Sequence, residues 1–162
     1  MEPRVYVIKS TKDYLELVGK LEDLVDDMLK EMPKLIDMAT NTSISYNGER
    51  VQTSNKSDPV ADCAAKIADI MAETNFLEDY YIDTREKIKW QIRNLVFTNQ
   101  MHYNLLRKRY IERMTIDELS RDIDRTRRRT MSLLEDARKE FEKKYGETYL
   151  NTEITIEYPH IS

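Results

Sequence analysis

Four guanidiniums fall within five residues at Arg125, Arg127, Arg128 and Arg129. Arginine carries a permanent charge on a planar fork of donors. That fork matches a phosphate, or the O6 and N7 edge of guanine, with two parallel hydrogen bonds. The chemistry on offer is recognition of a nucleic acid, provided that a helix holds the cluster at a surface. Thr126, inside the cluster, is a good helix cap, and a helix starting there adds free backbone donors that favour phosphate. From that cap, Thr130, Leu133, Leu134, Ala137 and Phe141 return on one helical face to about Tyr145, before Gly146. The opposite face carries Arg127, Arg128, Met131, Ser132 and Glu135, which are expected to meet base edges. Arg125 and Arg129 are expected to hold phosphates. A second basic cluster, Arg107-Lys108-Arg109, reads equally as a DNA-backbone contact or as a solvated face.

No other residue set offers a competing chemistry. His102 and His160 are the only histidines, and neither has a second ligand at metal spacing such as His-x-x-x-His. There is no serine elbow and no glycine loop for phosphate. The single cysteine, Cys63, excludes an internal disulfide and a cysteine-based zinc site. Its neighbours Ala61, Ala64 and Ala65 suggest a small side chain facing a core, in a reducing, cytoplasmic compartment. Paired acids such as Asp26-Asp27 and Glu78-Asp79 read as solvated helix faces. Trp90, Tyr80 and Tyr81 are expected to pack between helices. The expectation is a protein that is not an enzyme and takes no cofactor or metal. No leader pattern and no bilayer-length apolar run is present, which predicts no membrane partner.

Charge supports the arginine reading locally. The 162 residues carry a net charge of −4. Between Leu105 and Lys144, however, thirteen Arg or Lys oppose nine Asp or Glu, a local surplus of +4. Attraction to phosphate acts near the contact surface and is screened beyond about 10 Å, so the local sum matters more than the total.

The elements that must position the cluster are mostly helical. Charged residues make up 35% of the chain, with only three glycines and four prolines. A first helix should start near Ser10 or Thr11, with Asp13 in its first turn. Tyr14, Val18, Leu21, Val25, Met28, Met32 and Leu35 then recur at spacings of four and three, a heptad seam. Pro33 requires a kink or restart. Residues 40–57 lack an apolar period and read as an exposed loop. Ser57-Asp58-Pro59 then looks like a helix start. The second long helix runs to about Phe97 on Val60, Ala64, Ile67, Ile70, Leu77, Tyr81, Ile88, Ile92 and Leu95, with Thr74 and Thr84 weakening the face. The pair most simply forms an antiparallel hairpin, by plain core packing or with self-association along the seam.

Three shorter helices follow. Residues 99–113 hold Met101, Leu105, Leu106, Tyr110 and Ile111. Residues 115–123 open with a capping box of Thr115 and Glu118, and the last helix follows a break at Asp124 and Arg125. Residues 4–8 and 152–158 have strand-like composition, and in the second run Ile154 and Ile156 share a face. Two frayed tails is the reading favoured for them, pairing of the ends the alternative. The predicted fold is all-α: a hairpin domain over 1–97, a helix-turn-helix bundle over 98–146, and a tail over 147–162.

Two short helices on a tight turn, the second opening with basic residues, form the sequence picture of a helix-turn-helix. The stretch from Leu105 to Phe141 resembles region 4 of sigma-70-type factors. Arg109-Tyr110-Ile111, Thr115 to Ser120 and Thr126 to Thr130 carry the match, and Asp124 stands where many members have glycine in the turn. A second stretch, Asn47 to Ile70, resembles the segment joining two helices in phage and prophage regulators of the RinA and ArpU kind. The resemblance implies an activator of phage late genes that binds double-stranded DNA and contacts RNA polymerase. Two other readings remain: the small subunit of a phage packaging terminase, which is ring-forming, and a non-enzymatic coiled-coil adaptor with an incidental arginine cluster. Homo-oligomer formation is open in each.

Overall fold

A computed structural model describes residues 2–44 and 59–158. The described chain is mostly helical, with five α-helices and one two-stranded sheet. The order is β1 (Arg4–Ile8), α1 (Thr11–Ile44), α2 (Pro59–Arg93), a 3₁₀ turn (Asn94–Phe97) and α3 (Gln100–Leu106). A π-helical turn (Arg107–Ile111), α4 (Ile116–Asp122), α5 (Arg127–Tyr145), a second 3₁₀ turn (Gly146–Thr148) and β2 (Thr152–Ile156) complete it.

Helix α1 begins where its cap demands. Ser10 Oγ accepts from the Asp13 amide at 3.2 Å, and Asp13 Oδ2 accepts from the amides of Ser10 at 3.0 Å and Lys9 at 3.2 Å. These bonds satisfy donors that the first turn leaves without partners. The Ser10 bond, with the Lys9 and Ser10 amides, outweighs burial and holds the Asp13 carboxyl below its usual value. The seam is buried from Tyr14 to Met28, joined by Leu15, Leu17 and Leu24. Beyond Met28 it runs out: Met32 is half-buried and Leu35 exposed.

Of the kink or restart expected at Pro33, the restart does not occur, and one helix spans the proline. Pro33 is exposed, so solvent can bond the carbonyl that its ring leaves without a donor. Residues 40–44 are helical rather than loop. Thr40 stays in the helix by donating its hydroxyl to the carbonyls of Ile36 at 2.9 Å and Asp37 at 3.1 Å. The rest of the expected loop, with Asn47 and Ser57-Asp58, lies outside the described residues.

Helices α1 and α2 pack in opposite directions. Tyr14 donates to Gln91 Oε1 at 2.8 Å near one end, and the Cys63 thiol faces the Ala39 carbonyl near the other. Thr74 is buried in the α2 face and returns its hydroxyl to Ile70 O at 2.8 Å, so burying it leaves no bond unmade. Tyr80 and Tyr81 are half-buried against the core, but Trp90 does not pack between helices and is 61% exposed. The buried stripe there is Ile88, Gln91, Ile92 and Leu95, and position 90 falls outside it. Met101 is likewise exposed, while Leu105, Leu106 and Tyr110 are buried.

The ends of the chain pair rather than fray. β1 and β2 run antiparallel, with Arg4 opposite Ile156, Tyr6 opposite Ile154 and Ile8 opposite Thr152. Tyr6, Ile8, Ile154 and Ile156 face the helices, and Val5 and Val7 face outward. Two strands alone are marginal in water, and the helical core beneath them supplies the burial that keeps them.

One core joins all of this. Tyr14, Leu15 and Val18 of α1 and Ile88 and Ile92 of α2 meet Leu105, Leu106, Leu119, Leu134 and Phe141 from the later helices. Tyr149 stacks on Tyr14 with ring centroids 4.1 Å apart and planes 2° from parallel. A second cluster, including Leu21, Leu77, Ile156 and Tyr158, lies further along the long helices.

Candidate nucleic-acid interface

The arginine cluster is set by two caps and one turn. Thr115 caps α4: its Oγ1 accepts from the Glu118 amide at 3.2 Å, and Glu118 Oε2 accepts from the Thr115 amide at 2.7 Å. Those bonds, the Thr115 amide foremost, hold the Glu118 carboxyl below its usual value. At the far end of α4, Asp124 turns left-handed with φ 51°. The Arg125 amide then reaches Ser120 O at 3.0 Å, and the Asp124 amide reaches Arg121 O at 3.3 Å. This pair of bonds closes the last carbonyls of a helix on a left-handed residue, a place usually held by glycine or asparagine. Aspartate tolerates it better than most residues, and the turn expected at Asp124 and Arg125 forms.

Two residues later the next helix opens. Thr126 Oγ1 accepts from the Arg129 amide at 3.3 Å and caps α5. Thr130, Leu133, Leu134, Ala137 and Phe141 bury one stripe of α5 against the core. The buried Thr130 hydroxyl donates to Thr126 O at 3.0 Å, so the stripe contains no unmade bond at this position.

Arg125, Thr126, Arg127, Arg128, Arg129, Met131, Ser132 and Glu135 are all exposed. They do not share one role. Arg128, Ser132 and Glu135, spaced by four and three, stand along the middle of the free face of α5. Arg127 turns toward α4, where its Nη1 donates to Asp117 Oδ1 at 2.9 Å. With side chains 65% and 62% exposed, this pair is worth little and is readily exchanged for another anion. Arg125 folds back onto the carbonyl of Asp124 at 2.9 Å. Arg128 and Arg129 form no ion pair among the described residues. Glu135 pairs with Lys139 one turn on, at 3.2 Å.

The second basic cluster divides. Arg107 is paired with Glu112 and Lys108 with Asp122. Arg109 has no carboxylate partner among the described residues; its Nη1 donates to Met114 O at 2.8 Å. Two cations that sequence reasoning passed over, Lys12 and Arg138, line a cleft with it beside α5. Arg138 lay within the last helix and could have been found from its spacing of seven from Met131. Nothing in the sequence ties Lys12 to either.

Among the described residues no group of three His, Cys, Asp or Glu is placed to hold a metal ion. None of the described helices is long and apolar enough to cross a membrane. Compared with protein-family models, with curated proteins and with solved structures, the chain matches none.

Proposed function

We propose that α4, its turn and α5 act as a helix-turn-helix, with α5 the recognition helix, and that the chain is a sequence-specific regulator of transcription on double-stranded DNA. The resemblance to RinA and ArpU regulators makes it an activator of phage late genes in the bacterial cytoplasm, with RNA polymerase as a second partner. The antiparallel α1–α2 pair is then a helical hairpin that serves assembly. Exposed Leu29, Leu35, Met38 and Met71 on its outer part support contact with another copy.

One observation carries the reading. The capped turn at Asp124 presents the start of α5 with Arg128 free, flanked by Arg127, Arg129 and Ser132, while five buried residues hold the opposite stripe. A recognition helix needs this combination: its N-terminal side chains reach base edges and its back face is fixed. An incidental arginine run would need neither the cap nor the stripe.

The test starts with sequencing the genomic fragments that the chain retains, which yields a cognate duplex. Arg128→Ala should then weaken cognate binding more than scrambled binding, by about 1–3 kcal/mol if the guanidinium is bidentate to guanine. Arg129→Ala should weaken both alike. If Arg127→Ala and Arg128→Ala together leave cognate binding unchanged, α5 does not read DNA and the coiled-coil adaptor becomes the better account. Solution mass separates the packaging alternative, which requires a closed ring.

A further inference from the structure

Around α4 and the π-helical turn, three cations are matched to carboxylates. Arg107 faces Glu112, Lys108 faces Asp122, and Arg113 faces Glu22 and Asp23. Arg121 has no carboxylate partner among the described residues, but it is exposed and donates to Asp117 O at 3.3 Å. Arg109 and Arg138 differ from all of these. Both are half-buried, yet each donates only to a neutral oxygen: Arg109 to Met114 O at 2.8 Å, and Arg138 to the Tyr110 hydroxyl at 3.1 Å. A guanidinium has five donors and does not lose its proton in proteins. Partial burial without a counter-charge is unfavourable, and an arriving anion relieves it.

These two side chains meet Lys12, from the first turns of α1, around a cleft of about 350 Å³. Met131, Ser132 and Glu135, on α5 with Arg138, also line it. Lys12, Arg109 and Arg138 against Glu135 leave the lining at three positive charges and one negative. Glu135 is already drawn to Lys139. Lys12 leans on Glu16 at 3.7 Å with its side chain 60% exposed, so its ammonium is free to turn into the cleft. Glu16 lines a neighbouring cleft that Arg109 also borders.

We propose that this cleft is an oxyanion site in which Lys12, Arg109 and Arg138 hold a phosphate group. When α5 lies on a duplex, the phosphate is one of the DNA backbone, and this part rests on the DNA-binding reading above. The cleft opens on the flank of α5 that carries Met131, Ser132 and Glu135, the side turned to DNA in that reading. Helix α1 therefore belongs to the nucleic-acid surface as well as to the assembly arm. Sequence preference is unaffected, because a backbone contact fixes register without reading bases.

The experiment measures duplex binding by the full chain across a salt series, for the wild type, Lys12→Gln and Arg138→Gln, on cognate and scrambled DNA. Each lost phosphate contact should lower the slope of log K against log salt by about 0.9 and weaken both duplexes by the same factor. Lys12→Gln should keep the thermal midpoint, and it carries the test if Arg138→Gln perturbs folding. Slopes that stay at the wild-type value overturn the site and leave the DNA reading standing. A second arm follows the Arg109 and Arg138 side-chain NMR signals while inorganic phosphate is added. If the wild type binds no duplex, the DNA reading fails. Signals that then move with phosphate, and stay still in Lys12→Gln, support the site with a free anion as its occupant; signals that never move overturn it.

Discussion

Arg113 grips Asp23 with two parallel bonds, Nη1 to Oδ1 at 2.9 Å and Nη2 to Oδ2 at 3.1 Å, and Nη1 also reaches Glu22 at 3.1 Å. The contact ties the segment that leads into α4 to the middle of α1. Hydrogen bonds to Asp23, ahead of the charges of Asp23 and Glu22, raise the Arg113 pKa above its usual value despite some burial. Gly19 leaves room for it: a Cβ there would sit 3.3 Å from Arg113 Nε. The backbone beneath is strained, since Arg113 has φ 58°, a conformation that side chains other than glycine adopt with difficulty.

Those opposing features separate two substitutions. Arg113→Ala loses the ion pairs and keeps the left-handed backbone. Arg113→Gly loses the pairs and relieves the backbone by about 1 kcal/mol. Because the pair is largely exposed, its own loss costs about 0.2–1 kcal/mol. Denaturant unfolding should therefore find Arg113→Gly near wild type and Arg113→Ala about 1 kcal/mol below it. The reverse order would mean that the left-handed backbone at position 113 is not strained, since both variants lose the contact to Asp23 alike.

Asp124 provides the matching case without an ion pair. Its φ of 51° closes α4, and glycine suits that place better. Asp124→Gly should stabilise the chain by about 0.5–1 kcal/mol, and Asp124→Val should destabilise it by more than that because a β-branched side chain resists this conformation. DNA binding of Asp124→Gly should survive, since the turn it supports is unchanged.

Phe141 is fully buried among Tyr14, Tyr145 and Tyr149, with ring centroids 6.2, 5.2 and 6.0 Å away. Phe141→Ala should cost about 3–5 kcal/mol. Because that core includes residues of α1, α2, α3 and α5, the loss should lower the melting of the α1–α2 base and of α5 together. Hydrogen exchange that loosened α5 while leaving residues 14–18 protected would contradict a shared core.

Stability should fall at both extremes of pH through named groups. Burial, with the charge of Glu142 adding, pushes the Tyr149 phenol up to about 12 against the hydrogen bond it shares with Thr11. A raised value means that the folded chain holds its proton longer. The stabilisation is complete below about pH 10, the usual tyrosine value, and is lost as pH rises toward about 12. At Glu140, burial pushes the carboxyl up, but hydrogen bonds from Thr98 and His102 prevail and hold it below 4.5. That contribution is complete above pH 4.5 and disappears as pH falls through the lowered value. Tyr149→Phe should flatten the alkaline limb of a stability profile, and Glu140→Gln the acid limb.

Some of this molecule was legible before any coordinates. The caps at Ser10, Thr115 and Thr126, the left-handed tolerance of Asp124 and the buried stripe from Thr130 to Phe141 all depend on residues within a turn or two of each other. Local chemistry decides such features, and one sequence contains all of it. The exposed positions from Arg125 to Glu135 followed, because they are what the stripe leaves over. Other features were settled only when distant segments met. The chain ends pair because Ile8 and Ile156 find a core to bury against. Lys12 stands beside Arg109 and Arg138, and Arg113 beside Asp23, because the start of α1 packs against the later helices. Which faces meet across so many residues depends on the whole core and on closing the chain between them, and no local spacing encodes it.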